Sequence, residues 1–278
     1  MQHGPHTQTA YITGAGSGIG RALACALAAR GSGLALFDRQ FDEDGRAQIL
    51  AARSSDAQPV QFCTVDITDA PAVRTAVDQA CREIGPPQLA VNCAGINATR
   101  NFERLDDETF ARVINVNLLG SRHFARAVLP HMGQGAQLTL IASMAGLVGN
   151  YAYAAYSASK FGVVGLANVL RVEYRPLGID IAVVCPPEVP TPMVEKEMRH
   201  EHPVQRKLKD TAGVISLDQV VRAILDNTGR RRRFMVVPGA RAQFTYALAR
   251  FVPLRLLHLY VDAVVRRVLA QHPDAPRR

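Results

Sequence analysis

The sequence contains no tryptophan, and aromatic residues fill only 6% of its 278 positions. With so few rings interleaved among its basic residues, no aromatic-basic platform for nucleic acid is expected. Its five cysteines (Cys25, Cys63, Cys81, Cys93 and Cys185) are scattered, odd in number and without a C-x-x-C pair. They read as reduced thiols of a cytoplasmic protein, with neither a disulfide framework nor a zinc site. The opening MQHGPHTQTA has no basic segment running into an apolar core, so no secretory signal is expected. Nowhere do about 18 apolar residues run uninterrupted, as a membrane-spanning helix requires.

What is present is an ordinary globular balance, 48% apolar and 20% charged. The net charge of +8 is concentrated late in the chain, in GRRRRF (229–234), Arg266, Arg267 and the closing PRR. Such clustering suits an anionic membrane surface as well as a solvated turn. From residue 9 to about 237, short apolar runs alternate with longer helical patterns. AYIT (10–13), GLALFD (33–38), VQFCTVD (60–66), QLAVNCA (88–94), QLTLIAS (137–143), IDIAVVC (179–185) and RFMVVP (233–238) predict strands. They are continuous rather than alternating, as strands covered on both faces should be. The pattern predicts an α/β fold: one doubly wound parallel sheet over residues 1–240, followed by an amphipathic helical extension over 241–278.

The first predicted strand leads directly into TGAGSGIG, Thr13 to Gly20, which contains Gly14, Ser17, Gly18, Ile19 and Gly20. Glycines there permit a tight turn and let backbone amides approach a pyrophosphate at a helix N-terminus. The motif is weak alone, but it lies between a strand and a helix, the context it requires. Asp38 ends the second strand, 18 residues beyond Gly20. A carboxylate there accepts hydrogen bonds from ribose hydroxyls and repels a 2′-phosphate, which favours NAD(H). Arg39 beside it keeps NADP(H) as the alternative.

YSASK places Tyr156 and Lys160 four residues apart, on one helix face. A nearby ammonium, helped by a cationic nicotinamide, would favour the phenolate and make the phenol a usable acid or base. Such a pair is common on helix surfaces, but its company here is specific. Ser143 ends a strand 13 residues earlier, Asn117 lies in INVNLLG, and Asn92, Ala94 and Gly95 fall in NCAG at the end of strand four.

Together these residues resemble the short-chain dehydrogenase/reductase family over roughly residues 8–240. Thr13, Gly14, Gly18, Ile19 and Gly20 match its T-G-x-x-x-G-I-G motif. Asn117, Ser143, Tyr156 and Lys160 match its catalytic tetrad, and Asp66 and Ile67 its adenine-contacting pair. The resemblance implies an NAD(P)-dependent oxidoreductase acting on a ketone or secondary alcohol. In it, Tyr156 is the general acid or base, Ser143 bonds the reacting oxygen, Lys160 holds the nicotinamide ribose, and Asn117 supports a relay water. Two positions depart from the family. Cys93 replaces a usual asparagine, which is expected to loosen local bonding. In CPPEVPT, Pro187 replaces a usual glycine, while Pro186, Val189 and Thr191 keep their places beside the nicotinamide.

VVCPPEVPTPM and the tail LYVDAVVRRVL resemble the corresponding parts of 3-ketodihydrosphingosine reductases. That implies a lipid-like 3-keto substrate. The alternatives are a small or steroid-like alcohol, or a catalytically silent dinucleotide-binding regulator. After Pro253, residues Leu256, Leu257, Tyr260, Val261, Val264, Val265, Val268 and Leu269 predict one apolar helix face, and Phe244, Leu248 and Phe251 another. Such a basic amphipathic pair suits a membrane interface, the enzyme's own core or a partner subunit. In MVEKEMRHEHPVQRKLKDTAG (193–213), where the family places a lid over its substrate, the charges read as a solvated face with Met193, Val194 and Met198 inward. His200 and His202 lack the neighbours of a metal site. A homodimer or homotetramer is expected through the helices that bear Asn117 and Tyr156.

Overall fold

The structure is a computed structural model, and it describes residues 8–198, 201–228 and 232–272. All seven expected strands form: β1 (Thr9–Thr13), β2 (Gly33–Asp38), β3 (Val60–Thr64), β4 (Leu89–Asn92), β5 (Gln137–Ile141), β6 (Asp180–Val184) and β7 (Met235–Val236). They pair in parallel in the order β3-β2-β1-β4-β5-β6-β7. The order reverses between β1 and β4, which opens a crevice at the C-terminal ends of these two strands.

Burial on both sheet faces explains the unbroken apolar runs. Tyr11, Phe37, Leu138 and Val183 point to one face, where Val77, Phe124 and Val163 of the covering helices meet them. Those helices are α3 (Ala70–Ile84), α5 (Gly120–Val128) and α6 (Ala154–Tyr174). Ile12, Leu34, Leu36 and Val91 point to the other face, against Leu23, Leu27, Ile49, Val220 and Ile224. These come from α1 (Gly18–Ala28), α2 (Glu43–Ala51) and α9 (Leu217–Asp226). The helix α4 (Asp107–Ile114) runs through a π-helical turn, Asn115–Leu119, into α5, and it packs beside α6.

Beyond β6 the chain builds a lobe over the crevice from α7 (Pro192–Met198) and α8 (Pro203–Ala212). After β7, α10 (Ala240–Phe251) and α11 (Leu254–Gln271) both return to pack on α8. The packed face of α11 is narrower than its sequence predicts. Val268 is buried and Leu257, Val261, Val264, Val265 and Leu269 are half-buried, but Leu256 and Tyr260 are exposed. With Leu259 they form a second, outward apolar stripe, because this helix has apolar residues around more than half its circumference. On α10, Phe244 and Phe251 are likewise exposed. His200, Arg230 and Arg231 lie outside the described residues. Of the arginine run, Arg232 pairs with Asp180 at 2.8 Å.

Candidate active site

The site is one cavity of about 1310 Å³ running from the glycine-rich turn, past α6, to the tail helices. At its first end, Gly14 and Gly18 take left-handed backbone angles, φ of 65° and 52°. A side chain on Gly14 would meet the backbone of Ala94 at 2.7 Å, and one on Gly20 would meet the carbonyl of Gly14 at 2.1 Å. Only glycine allows this tight approach of β1, β4 and α1. Ser17 enters α1 without a side-chain cap, and the first turn carries no acidic residue. Its amides are left to attract an anion, so the turn fits a dinucleotide's pyrophosphate. Arg21 braces the turn: its guanidinium donates to the Gly16 carbonyl and pairs with Asp42 at 2.8 Å.

Asp38 sits beside that turn, its two oxygens accepting from the amides of Gly16 (2.8 Å) and Gln40 (3.2 Å). Each leaves lone pairs facing the cavity that Asp38, Arg39, Asp66 and Ile67 line. The Asp66 carboxylate is held below its ordinary value by hydrogen bonds from the Thr68 amide and hydroxyl. Ala94, Gly95, Pro186, Val189 and Thr191 line the cavity's middle. Pro186 accepts a hydrogen bond from the Met144 amide at 2.9 Å, which ties the strand-six segment to the turn bearing Ser143.

Asn92 and Asn117 lie behind this wall, fully buried. Thr13 donates to Asn92 (2.5 Å), Asn92 to Ser121 (2.8 Å), and Ser121 to the Asn117 carbonyl (2.5 Å), so the chain stays continuous beside Cys93. The expected loosening at Cys93 is therefore absent at Asn92; desolvation pushes the Cys93 thiol up to about 12. The Asn117 amide accepts from the Ile96 amide (2.8 Å) and donates to the Ile96 carbonyl and Ser159 hydroxyl, both at 2.9 Å. With both donors spent, it braces the loop after β4 against α6, and its oxygen keeps one further lone pair.

Ser143, Tyr156 and Lys160 face the cavity together. Lys160 donates to the Ile141 carbonyl at 2.9 Å and lies 5.7 Å from the Tyr156 ring centre. Burial lowers its ammonium to about 8. Burial also pushes the Tyr156 phenol up to about 12, against a hydrogen bond with Ser143 that favours the phenolate; Glu197 raises it further and Lys209 opposes. The expected ease of ionisation is thus not a property of the dinucleotide-free protein, because loss of water outweighs the neighbouring charges. The phenol is a protonated donor at neutral pH.

Of the sequence reading of 193–213, Val194 is half-buried and lines the cavity beside Met193, but the charges do not form a solvated face. Met193 and Met198 are exposed, while Glu197 is only 8% exposed and turned inward. Its carboxylate accepts from Tyr153, Asn97 (2.7 Å), Gln205 (2.6 Å) and Lys209 (2.9 Å). Lys209 also pairs with Glu188 and with Glu201 (2.7 Å), and Arg206 with Glu188 (3.0 Å) and Asp210 (2.8 Å). These charges form an internal network beside Tyr156, whose ring packs edge-on against Tyr153 with centres 5.2 Å apart. The only signal in the sequence was spacing: Arg206 and Lys209 are three apart, on one helical face of α8. His202 caps α8 through its ring nitrogen on the Val204 amide, and no metal-binding cluster occurs among the described residues.

Residues 8–202 match the family described as short chain dehydrogenase. The chain belongs to the short-chain dehydrogenase family. It is 33% identical to a 3-ketodihydrosphingosine reductase of Bos taurus, across 94% of this chain and 86% of that protein. The Mus musculus 3-ketodihydrosphingosine reductase is 31% identical over 77% of this chain, which spans 66% of that longer protein. Among solved structures, a short chain dehydrogenase/reductase from Burkholderia phymatum in complex with NAD superposes with a TM-score of 0.75 at 26% identity, covering 90% of this chain and 94% of that one. This short-chain dehydrogenase is an oxidoreductase that moves a hydride between a nicotinamide cofactor and a ketone or secondary alcohol. No helix among the described residues is long and apolar enough to cross a membrane.

Proposed function

We propose that this chain reduces a long-chain 3-keto lipid of the 3-ketodihydrosphingosine type. The observation that carries the reading is the continuity of one cavity. It joins the Gly14 turn and Asp38, through Ser143 and Tyr156, to Leu248 of α10 and Leu257 and Val261 of α11. An elongated, mostly apolar chain has a place to lie, and its ketone falls between dinucleotide and phenol. The names of the bovine and mouse relatives support the same substrate.

In this reading the nicotinamide, when bound, supplies the hydride. Tyr156 gives its proton to the carbonyl oxygen, and Ser143 hydrogen-bonds that oxygen so that its developing charge is met as it forms. Lys160 holds the nicotinamide ribose and adds a positive charge beside the phenol. Gly14, Ser17, Gly18, Ile19 and Gly20 hold the pyrophosphate; Asp66 and Ile67 flank the adenine. Asn92, Ala94, Gly95, Pro186, Val189 and Thr191 shape the nicotinamide end, and Asn117 positions the loop between them. Asp38 favours NAD(H), since its fixed carboxylate repels a 2′-phosphate; the exposed Arg39 next to it is what would serve NADP(H). A reduction assay of 3-ketodihydrosphingosine, a short β-ketoester and a steroid ketone, each with NADH and NADPH, tests this. The long-chain substrate with NADH is expected to give the highest kcat/KM, and turnover confined to the short ester or the steroid contradicts the substrate.

Two surfaces extend the proposal. The outward stripe Leu256, Leu259 and Tyr260, flanked by Arg255, rests on an anionic membrane from which the lipid enters. Exposed Phe161, Val169 and Val172 on α6 pair two copies of the chain. Leu256→Glu with Leu259→Glu should abolish flotation with anionic liposomes, and Val172→Glu should lower the mass seen by light scattering; wild-type behaviour of either variant removes that surface.

A further inference from the structure

The buried network beside Tyr156 is short of positive charge and long in acceptors. Among the described residues, Glu188, Glu197, Glu201 and Asp210 face two cations, Arg206 and Lys209. Lys209 divides its ammonium among three of these carboxylates, so none of them has a cation to itself. Two amides around Glu197 carry a second mark. Because a carboxylate only accepts, Asn97 and Gln205 must turn their nitrogens toward it, which leaves their carbonyls pointing away. Both of those oxygens, Asn97 Oδ1 and Gln205 Oε1, are buried with no hydrogen-bond partner among the described residues, although Gln205 is completely enclosed. Unpaired buried acceptors are rare and costly, and they call for a donor.

Asn97, Glu197 and Lys209 line the same cavity as Tyr156 and Ser143. A ligand group that suits this corner is cationic, compact and rich in N–H donors, and sits close to the reacting carbonyl. A primary ammonium on the carbon next to a ketone has all four properties. We infer that Glu197, with the outward carbonyl of Asn97, forms a recognition site for the ammonium of an α-amino ketone substrate. The inference rests on the long-chain ketone reading and deepens it, because it separates an amino ketone from neutral ketones of the same length. Glu197 and Asn97 thereby orient the substrate so that its carbonyl, and not its hydroxyl end, meets Tyr156. Tyr153, whose hydroxyl donates to Glu197 while its ring abuts Tyr156, fixes the distance between the two ends.

The test compares two probes, 3-ketodihydrosphingosine and the same chain without its amine, reduced by the full-length protein with NADH. For wild type the amino ketone is expected to have the higher kcat/KM. In Glu197→Gln the ratio of the two values should fall about 10- to 100-fold, mainly through KM for the amino ketone, as loss of a charged hydrogen bond implies. Asn97→Ser removes the outward carbonyl but keeps every charge of the network, and the same ratio should fall by a smaller factor; it serves if Glu197→Gln does not fold. A ratio equal to wild type in variants that still bind NADH overturns the ammonium site while leaving the lipid ketone reading intact. Wild-type protein that reduces neither long-chain probe, but reduces other ketones, sinks the substrate reading and this site with it.

Discussion

A lysine enclosed as Lys160 is costs the fold stability, and the sign of that cost is open to measurement. Its ordinary value is 10.5, and burial lowers it to about 8 in the folded chain. Below about 8 the folded protein carries the buried ammonium and the whole penalty. Between 8 and 10.5 the folded protein releases that proton while the unfolded chain keeps it, so the penalty fades as pH rises. Lys160→Met has no charge to enclose. Without dinucleotide, the variant is expected to be about 2 kcal/mol more stable than wild type at neutral pH, with the advantage shrinking through this window. Denaturant titration of both proteins across it checks this; a difference that does not vary with pH contradicts the account. A residue kept in spite of such a cost, facing a cavity and beside a phenol, marks a site shaped for chemistry rather than for stability.

At the scale of elements, the lobe of α7 and α8 is held by charge where the sheet is held by apolar burial. Burial raises the Glu188 carboxyl, but hydrogen bonds from Lys209 and Arg206 outweigh it and keep the group below its ordinary 4.5. The stability it contributes is therefore present above 4.5 and lost as pH falls beneath that. Lys209→Met leaves Glu188, Glu197 and Glu201 without their shared cation and should cost about 3 kcal/mol at neutral pH. Thermal unfolding along an acid series should show this deficit shrinking as the carboxylates protonate, and a constant deficit would speak against an electrostatic lobe. The same lobe shows where sequence reading fails. Strands such as GLALFD and QLTLI were legible because burial on two faces leaves an unbroken apolar run. Ser143, Tyr156 and Lys160 stood out because of their fixed spacing from the end of β5 into α6, and the structure brings these three to one cavity. Glu197 was not legible, since a buried charge with partners from three other segments looks, in a linear sequence, like any solvated charge. Leu256 and Tyr260 misled for the converse reason: apolar residues lay all around α11, and only packing on α8 decides which of them are covered.

At the scale of the whole molecule, the fold places three separate demands along one cavity. The reversal of strand order between β1 and β4 sets the glycine-rich turn at one end. The start of α6 presents Tyr156 and Lys160 at the centre, and α10 and α11 close the far end with apolar side chains. The tail is thus a wall of the cavity as well as an outward apolar surface. On this account the phenol of Tyr156 delivers the proton that completes ketone reduction. The most direct test is the rate of NADH oxidation with 3-ketodihydrosphingosine for wild type and Tyr156→Phe, with dinucleotide binding followed by fluorescence. A fall in kcat of about 10²- to 10⁴-fold is predicted for a variant that still binds NADH. A Tyr156→Phe protein that turns over at the wild-type rate would contradict the account.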